Sequence, residues 1–131
     1  MSGKILIAED EPYIVDALSF VLSQAGHTVS AESDGGEVLE ALRKTRPDVL
    51  ILDLMLPTKN GFEILKELKT GTEFSQLPVL VLTAKGQAKD RAMAEQLGAD
   101  AFIAKPFSNS EVVQRVEQLV GQARRAACDQ T

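Results

Sequence analysis

Four apolar runs in this chain each end in a group that can do chemistry. Val49-Leu50-Ile51-Leu52 runs into Asp53, and Ile5-Leu6-Ile7-Ala8 runs into the acid pair Glu9-Asp10. Val79-Leu80-Val81-Leu82 ends in the hydroxyl of Thr83, and Ala101-Phe102-Ile103-Ala104 ends in Lys105-Pro106. A bare carboxylate at the end of a buried strand is costly to place. If the four runs are parallel strands, three carboxylates, a hydroxyl and an ammonium converge. Clustered carboxylates repel one another and, left unpaired, take up protons. A hard divalent cation relieves that repulsion. Mg²⁺ prefers oxygen ligands, keeps several waters, and is commonly held by one or two carboxylates plus a phosphate. Glu9, Asp10 and Asp53 therefore read as a Mg²⁺ site that also receives phosphate. Lys105 can neutralise a phosphoryl oxygen, and Thr83 can donate a hydrogen bond to one. A carboxylate can act as nucleophile and form an aspartyl phosphate. Asp53 is the best candidate for that role, since it is expected between Thr83 and Lys105 across the sheet, within reach of both.

The elements that must position these groups alternate along the chain. Strand patterns are predicted at 5–8, 28–31, 48–52, 77–82 and 101–104. Between them, apolar residues at helical spacing predict helices. The first runs from Tyr13 to Gln24, with Pro12 suited to its first turn and Gly26 stopping it. The second opens at Asp34-Gly35-Gly36-Glu37 and carries Val38, Leu39 and Leu42; the third spans Gly61 to Lys69; the fourth spans Lys89 to Leu97. Ser108 with Glu111 forms a capping-box pattern for a last helix carrying Val112, Val113, Val116, Leu119 and Val120. Fraying is expected from Gly121 onward. Five strands alternating with five helices predict an α/β fold with a parallel sheet covered on both faces. Ligands of such sheets bind beyond the carboxyl ends of the strands, where strand order reverses. That places the site near Glu9, Asp10 and Asp53.

The chain has 131 residues, 44% of them hydrophobic and 25% charged, which predicts one soluble domain. Its net charge of −5 disfavours direct nucleic-acid binding through a broad basic surface. Neither a membrane span nor a signal peptide is expected. Cys128 is the single cysteine and has no internal partner, so a reducing, cytoplasmic setting is expected. His27 is expected as a surface turn residue, and Cys128 as an inert thiol.

Glu9-Asp10, Asp53 followed by Pro57 and Gly61, Thr83-Ala84 and Lys105-Pro106-Phe107 stand in an order and spacing that resembles the response-regulator receiver domains of two-component signalling. The resemblance covers residues 4 to about 121. It implies a five-stranded, doubly wound, flavodoxin-like sheet of order 2-1-3-4-5 with five helices. It divides the chain into a receiver domain, 1–121, and a C-terminal tail or start of a linker, 122–131. It implies that Asp53 accepts a phosphoryl group from a histidine kinase or histidine phosphotransfer protein. Glu9 and Asp10 would bind Mg²⁺, Glu9 through water, with Met55 supplying a backbone carbonyl. Thr83 and Lys105 would contact the phosphoryl group, and Phe102 would be the switch aromatic, turning inward as Thr83 moves. The 105–106 peptide bond is often cis in such domains. Met55 and Lys85, two residues beyond Asp53 and Thr83, stand where side chains can gate the attacking water. The output face would comprise the fourth helix, the last strand and the last helix. Arg91, Glu111 and Arg115 on that face match part of a dimerisation pattern, so a phosphorylation-dependent homodimer is expected.

Two other readings use the same residues. A Mg²⁺-dependent phosphatase with an aspartate nucleophile would usually carry a second acid two residues after it, where this chain has Met55. A degenerate receiver serving as a constitutive interaction module would lack Asp53, Lys105 or the acid pair. The chain keeps all of them, so self-phosphorylation is expected rather than turnover of a substrate.

Overall fold

A β-branched or leucine-rich strand buried on both faces has to satisfy two cores at once, and the three central strands of this chain do so. The computed structural model describes residues 3–84 and 88–129, with side chains described as far as residue 123. The strands are β1 (Lys4–Ala8), β2 (Thr28–Glu32), β3 (Val49–Asp53), β4 (Val79–Ala84) and β5 (Ala101–Lys105). The helices are α1 (Pro12–Gln24), α2 (Val38–Thr45), α3 (Gly61–Thr70), α4 (Ala88–Gln96) and α5 (Asn109–Asp129), with a 3-10 turn at Gly35–Glu37. All strand pairs are parallel and their order is β2-β1-β3-β4-β5. The doubly wound architecture implied by the resemblance is the one observed.

Alternation along each strand divides the core. Leu6, Leu50, Leu52, Val79 and Val81 face Val38, Leu42, Ile64, Leu65, Leu68 and Ala94 from α2, α3 and α4. Ile5, Ile7, Val49, Ile51, Leu80, Leu82 and Ile103 face Leu18 and Leu22 of α1 and Val112, Val116, Leu119 and Val120 of α5. Every residue of β3 is buried, as its uninterrupted apolar run requires. Fully burying each such side chain contributes roughly 1.5–3 kcal/mol.

Element ends follow identifiable local chemistry. Asn60 caps α3, its side chain accepting from Glu63 N–H at 3.0 Å. Ser108 Oγ accepts from Glu111 N–H at 3.2 Å, the Ser108 half of the expected box. The last helix does not stop at Gly121: its backbone continues to Asp129. Glycine only weakens a helix interior, by roughly 1 kcal/mol, and the following Gln-Ala-Arg-Arg-Ala-Ala are good helix formers.

His27 departs from expectation. It is buried, 5% exposed, and its Nδ1 accepts a hydrogen bond from Gly3 N–H at 3.1 Å. The chain entering β1 packs beside the start of β2, and the imidazole fills the angle between them, with Nε2 3.8 Å from Glu117 on α5. Toward the opposite edge of the sheet, Asp100 Oδ2 accepts from Val79 N–H at 2.8 Å and from Lys69 Nζ at 3.2 Å, while Lys69 also donates to Leu77 O at 2.8 Å. That latch ties α3 to the start of β4 and to the loop before β5.

Candidate functional site

At the carboxyl end of the sheet the strand order reverses between β1 and β3, and the sequence delivers its acids there. Glu9 and Asp10 follow β1, and Asp53 closes β3. Glu9 is fully buried, Asp53 is 4% exposed, and Asp10 is exposed. One carboxylate oxygen from each lies within 4.8 Å of the others. Trans ligands of an octahedral Mg²⁺ are about 4.1 Å apart, and several of its ligands are usually water. The three acids therefore fit this ion, with a small adjustment or a bridging water on the most distant one. Met55 follows in the same loop. Its N–H donates to Asp53 Oδ1 at 3.2 Å, which fixes that oxygen, and its side chain points to solvent, 74% exposed.

Lys105 reaches this cluster from β5. Its Nζ donates to Glu9 Oε1 and Oε2 at 3.3 and 3.4 Å and lies 3.4 Å from Asp53 Oδ2. Asp53 was expected between Thr83 and Lys105 across the sheet. The order observed puts β4, the strand of Thr83, between β3 and β5 instead. The lysine spans that strand because it is long and points to the face shared by Asp53. Lys105 continues the alternation of Ala101 and Ile103, as Asp53 continues that of Val49 and Ile51. The Lys105-Pro106 bond is cis.

The electrostatics follow from burial. Glu9 is pushed up to about 8 from an ordinary carboxylate value. Burial is the largest cause, followed by a hydrogen bond shared with Asp53 and by the charge of Asp53; Lys105 opposes the shift. The carboxylate that faces both a neighbour acid and the core thus holds a proton that a cation would displace.

A cavity of about 490 Å³ opens above the cluster, walled by Asp10, Glu11, Asp53, Leu54, Met55, Leu82, Ala84, Asp90 and Lys105. From β4 the wall takes Leu82 and Ala84, the neighbours of Thr83, rather than Thr83 itself. Alternation is the reason: Thr83 shares the side of Val79 and Val81, the face covered by α2, α3 and α4. Phe102 packs against that same face, half-buried, and its register partner Val81 lies two residues before Thr83. Thr83 and Phe102 are therefore on one side of the sheet and Asp53 and Lys105 on the other. Between α4 and β5, the Arg91 guanidinium stacks over the Phe102 ring, 5.0 Å from its centroid. Glu111 and Arg115 are exposed on α5. Lys85 lies outside the described residues, and the Cys128 side chain lies outside the described side chains.

Gly61 sets the position of the acid-bearing loop. A Cβ there would stand 2.6 Å from the carbonyl oxygen of Asp53 and 2.6 Å from Leu54 Cα, and Gly61 N–H donates to Leu54 O at 3.0 Å. Only glycine lets α3 begin so close to the end of β3. Glu11 and Asp90 are wall residues that the strand-end reasoning did not select. Their signal was positional: each stands at the start of a helix that follows a site strand.

Comparison with known proteins gives a consistent result. The family model for the response regulator receiver domain matches residues 5–117. The alkaline phosphatase synthesis transcriptional regulatory protein PhoP of Bacillus subtilis (strain 168) is 39% identical over 127 residues, which is 97% of this chain and 52% of that protein. The chain thus spans about half the length of that curated relative. The signal receiver domain of a signal transduction histidine kinase from Syntrophus aciditrophicus superposes with a TM-score of 0.87 at 31% identity, covering 94% of this chain and 93% of the other. The receiver domain of a sensor histidine kinase from Pseudomonas aeruginosa PAO1, with a magnesium ion coordinated in its active-site cleft, gives 0.83 at 26% identity over 92% and 99% of the two chains. Among the described residues, no helix is long and apolar enough to cross a membrane.

Proposed function

This chain belongs to the response-regulator receiver domains, and from that premise we propose that Asp53 is its phosphoacceptor. The observation that carries the reading is the convergence of Glu9, Asp10, Asp53 and Lys105 at one end of the sheet, beneath a cavity open to a donor. Glu9, Asp10 and Asp53 would hold Mg²⁺, with the Met55 carbonyl as a further ligand, and Glu9 through water. When bound, that ion neutralises charge on the phosphoryl oxygens and on the attacking carboxylate. A carboxylate oxygen of Asp53 attacks phosphorus, and the bond from phosphorus to the donor histidine nitrogen breaks. The released imidazole keeps the electron pair. The donor is a histidine kinase or histidine phosphotransfer protein, and a cytoplasmic setting fits such a donor.

The phosphoryl group adds roughly −1.5 to −2 charges. Lys105 already bridges Glu9 and Asp53, and turns to a phosphoryl oxygen at little cost in reach. Thr83 must cross to the cavity side to donate its hydroxyl, which vacates space next to Phe102 on the opposite face. The element that answers is α4, which buries only Ala94 among its residues and is the most weakly anchored helix. Phosphorylation then shifts the population of an output face built from α4, β5 and α5. Pairing of two such faces through Arg91, Glu111 and Arg115 is the expected readout. Arg91 must first leave the Phe102 ring to reach a partner.

Intact mass after incubation with acetyl phosphate and Mg²⁺ tests the acceptor. A Mg²⁺-dependent gain of one phosphoryl group, lost in Asp53→Ala, is expected. A gain retained in that variant would remove Asp53 from the role. Sedimentation of the phosphorylated form at tens of micromolar tests the pairing, and an unchanged coefficient would count against it.

A further inference from the structure

The cavity has an acidic rim that metal binding does not use. Glu11 stands at the start of α1, exposed, and its side chain makes no capping hydrogen bond to that helix. Asp90 lies in the first turn of α4, half-buried. Both line the mouth, Glu11 from the end of β1 and Asp90 from the helix after β4. Among the described residues, four carboxylates and one ammonium form the wall, a formal charge of −3. Glu11 and Asp90 together contribute −2 of this, and neither belongs to the acid group Glu9, Asp10 and Asp53 that would face a divalent cation. These two side chains therefore add negative charge at the mouth, where an incoming phosphodonor meets it.

We propose that Glu11 and Asp90 are specificity-determining residues that select against free anionic phosphodonors. A small acyl phosphate carries its whole negative charge to the mouth uncompensated. A phosphohistidine presented on a protein surface arrives with its own basic side chains, which the acidic rim attracts. Rim charges act on encounter rates more than on bound-state affinity, and salt screens them. The selection rests on the phosphoacceptor reading of Asp53.

The test compares wild type with the Glu11→Gln/Asp90→Asn double variant, both first checked for equal thermal melts. The rate of mass gain is measured with acetyl phosphate and with phosphoramidate, which carries less negative charge, each with saturating Mg²⁺. At low ionic strength the double variant should react roughly 3–10 times faster with acetyl phosphate. The gain should be smaller with phosphoramidate, and it should collapse near 0.5 M salt, where the screening length falls to a few ångströms. An unchanged acetyl phosphate rate, or an equal and salt-independent gain with both donors, overturns the proposal. Absence of transfer to every form, wild type included, would defeat the phosphoacceptor reading instead. Mg²⁺ calorimetry then judges the rim by itself. The double variant should bind the ion about two- to fivefold more weakly at low salt, and an unchanged affinity overturns the rim as the source of the field.

Discussion

Glu9 offers the sharpest test of the site's electrostatics. Its folded value of about 8 stands above the ordinary 4.5 because burial and the shared hydrogen bond with Asp53 favour the protonated form. An acid with a raised folded value stabilises the fold at low pH. That contribution is fully present below about pH 4.5 and is lost as pH rises through about 8. Within that window the slope is at most about 1.4 kcal/mol per pH unit. Glutamine imitates the protonated acid and does not titrate. Denaturant unfolding in EDTA, from pH 5.5 to 8, should therefore show wild type losing about 2–3 kcal/mol relative to Glu9→Gln. The same proton must leave when the cation enters. At pH 7 a group with a value near 8 is about nine-tenths protonated, so Mg²⁺ binding should release close to one proton. The dissociation constant should fall about tenfold between pH 6 and 7 and level off above 8. Calorimetry in two buffers of different ionisation enthalpy counts that proton. Parallel stability curves for the two proteins, together with no proton release, would refute the argument that burial holds Glu9 neutral.

Three further perturbations test other parts of the structure. Asp100→Ala removes the acceptor of Val79 N–H and Lys69 Nζ and should cost about 2–3 kcal/mol in denaturant unfolding, whereas Asp100→Asn should cost about half as much. Gly61→Ala forces a Cβ into the carbonyl of Asp53 and should cost about 1–3 kcal/mol by thermal melt, with slowed acetyl phosphate labelling because the acid-bearing loop is displaced. Unstacking Arg91 from Phe102 should show a coupling of about 0.5–1 kcal/mol in a double-mutant cycle of Arg91→Ala with Phe102→Leu, and a coupling near zero would reduce the stack to coincidence of position.

Much of this molecule was legible in its residues because a parallel sheet writes itself as uninterrupted apolar runs. Each run also ended in its polar group, so Glu9, Asp53 and Lys105 could be assigned to one end of the sheet before their distances were known. The lateral placement was harder. Strand order decides which groups are adjacent, and an apolar run carries no mark of its neighbour; hence the expectation of Asp53 between Thr83 and Lys105. Face was also hidden in the case of Thr83, where alternation puts the hydroxyl opposite Asp53. Burial of His27 depends on how Gly3 enters β1, a contact across 24 residues. The expected fraying from Gly121 onward gives way to a backbone helix that continues to Asp129, because a glycine only weakens a helix interior and the residues after it are good helix formers. Glu11 and Asp90 were passed over because acids at helix starts have a common local use.

The register of the sheet has a consequence for how the protein forms. Strand pairs join Lys4 to Thr28, Ile5 to Val49, Leu50 to Val79 and Leu80 to Ala101, separations of 24, 44, 29 and 21 residues. No pairing is a hairpin, so each must close a long loop before any ladder bond rewards it, and such chains fold slowly for their size. The acid cluster draws on the ends of β1 and β3, and its lysine partner sits 96 residues from Glu9. It is therefore assembled only after those loops are closed. An ion held there would arrive late, acting on the rate at which the finished molecule comes apart and leaving the rate at which it comes together nearly untouched.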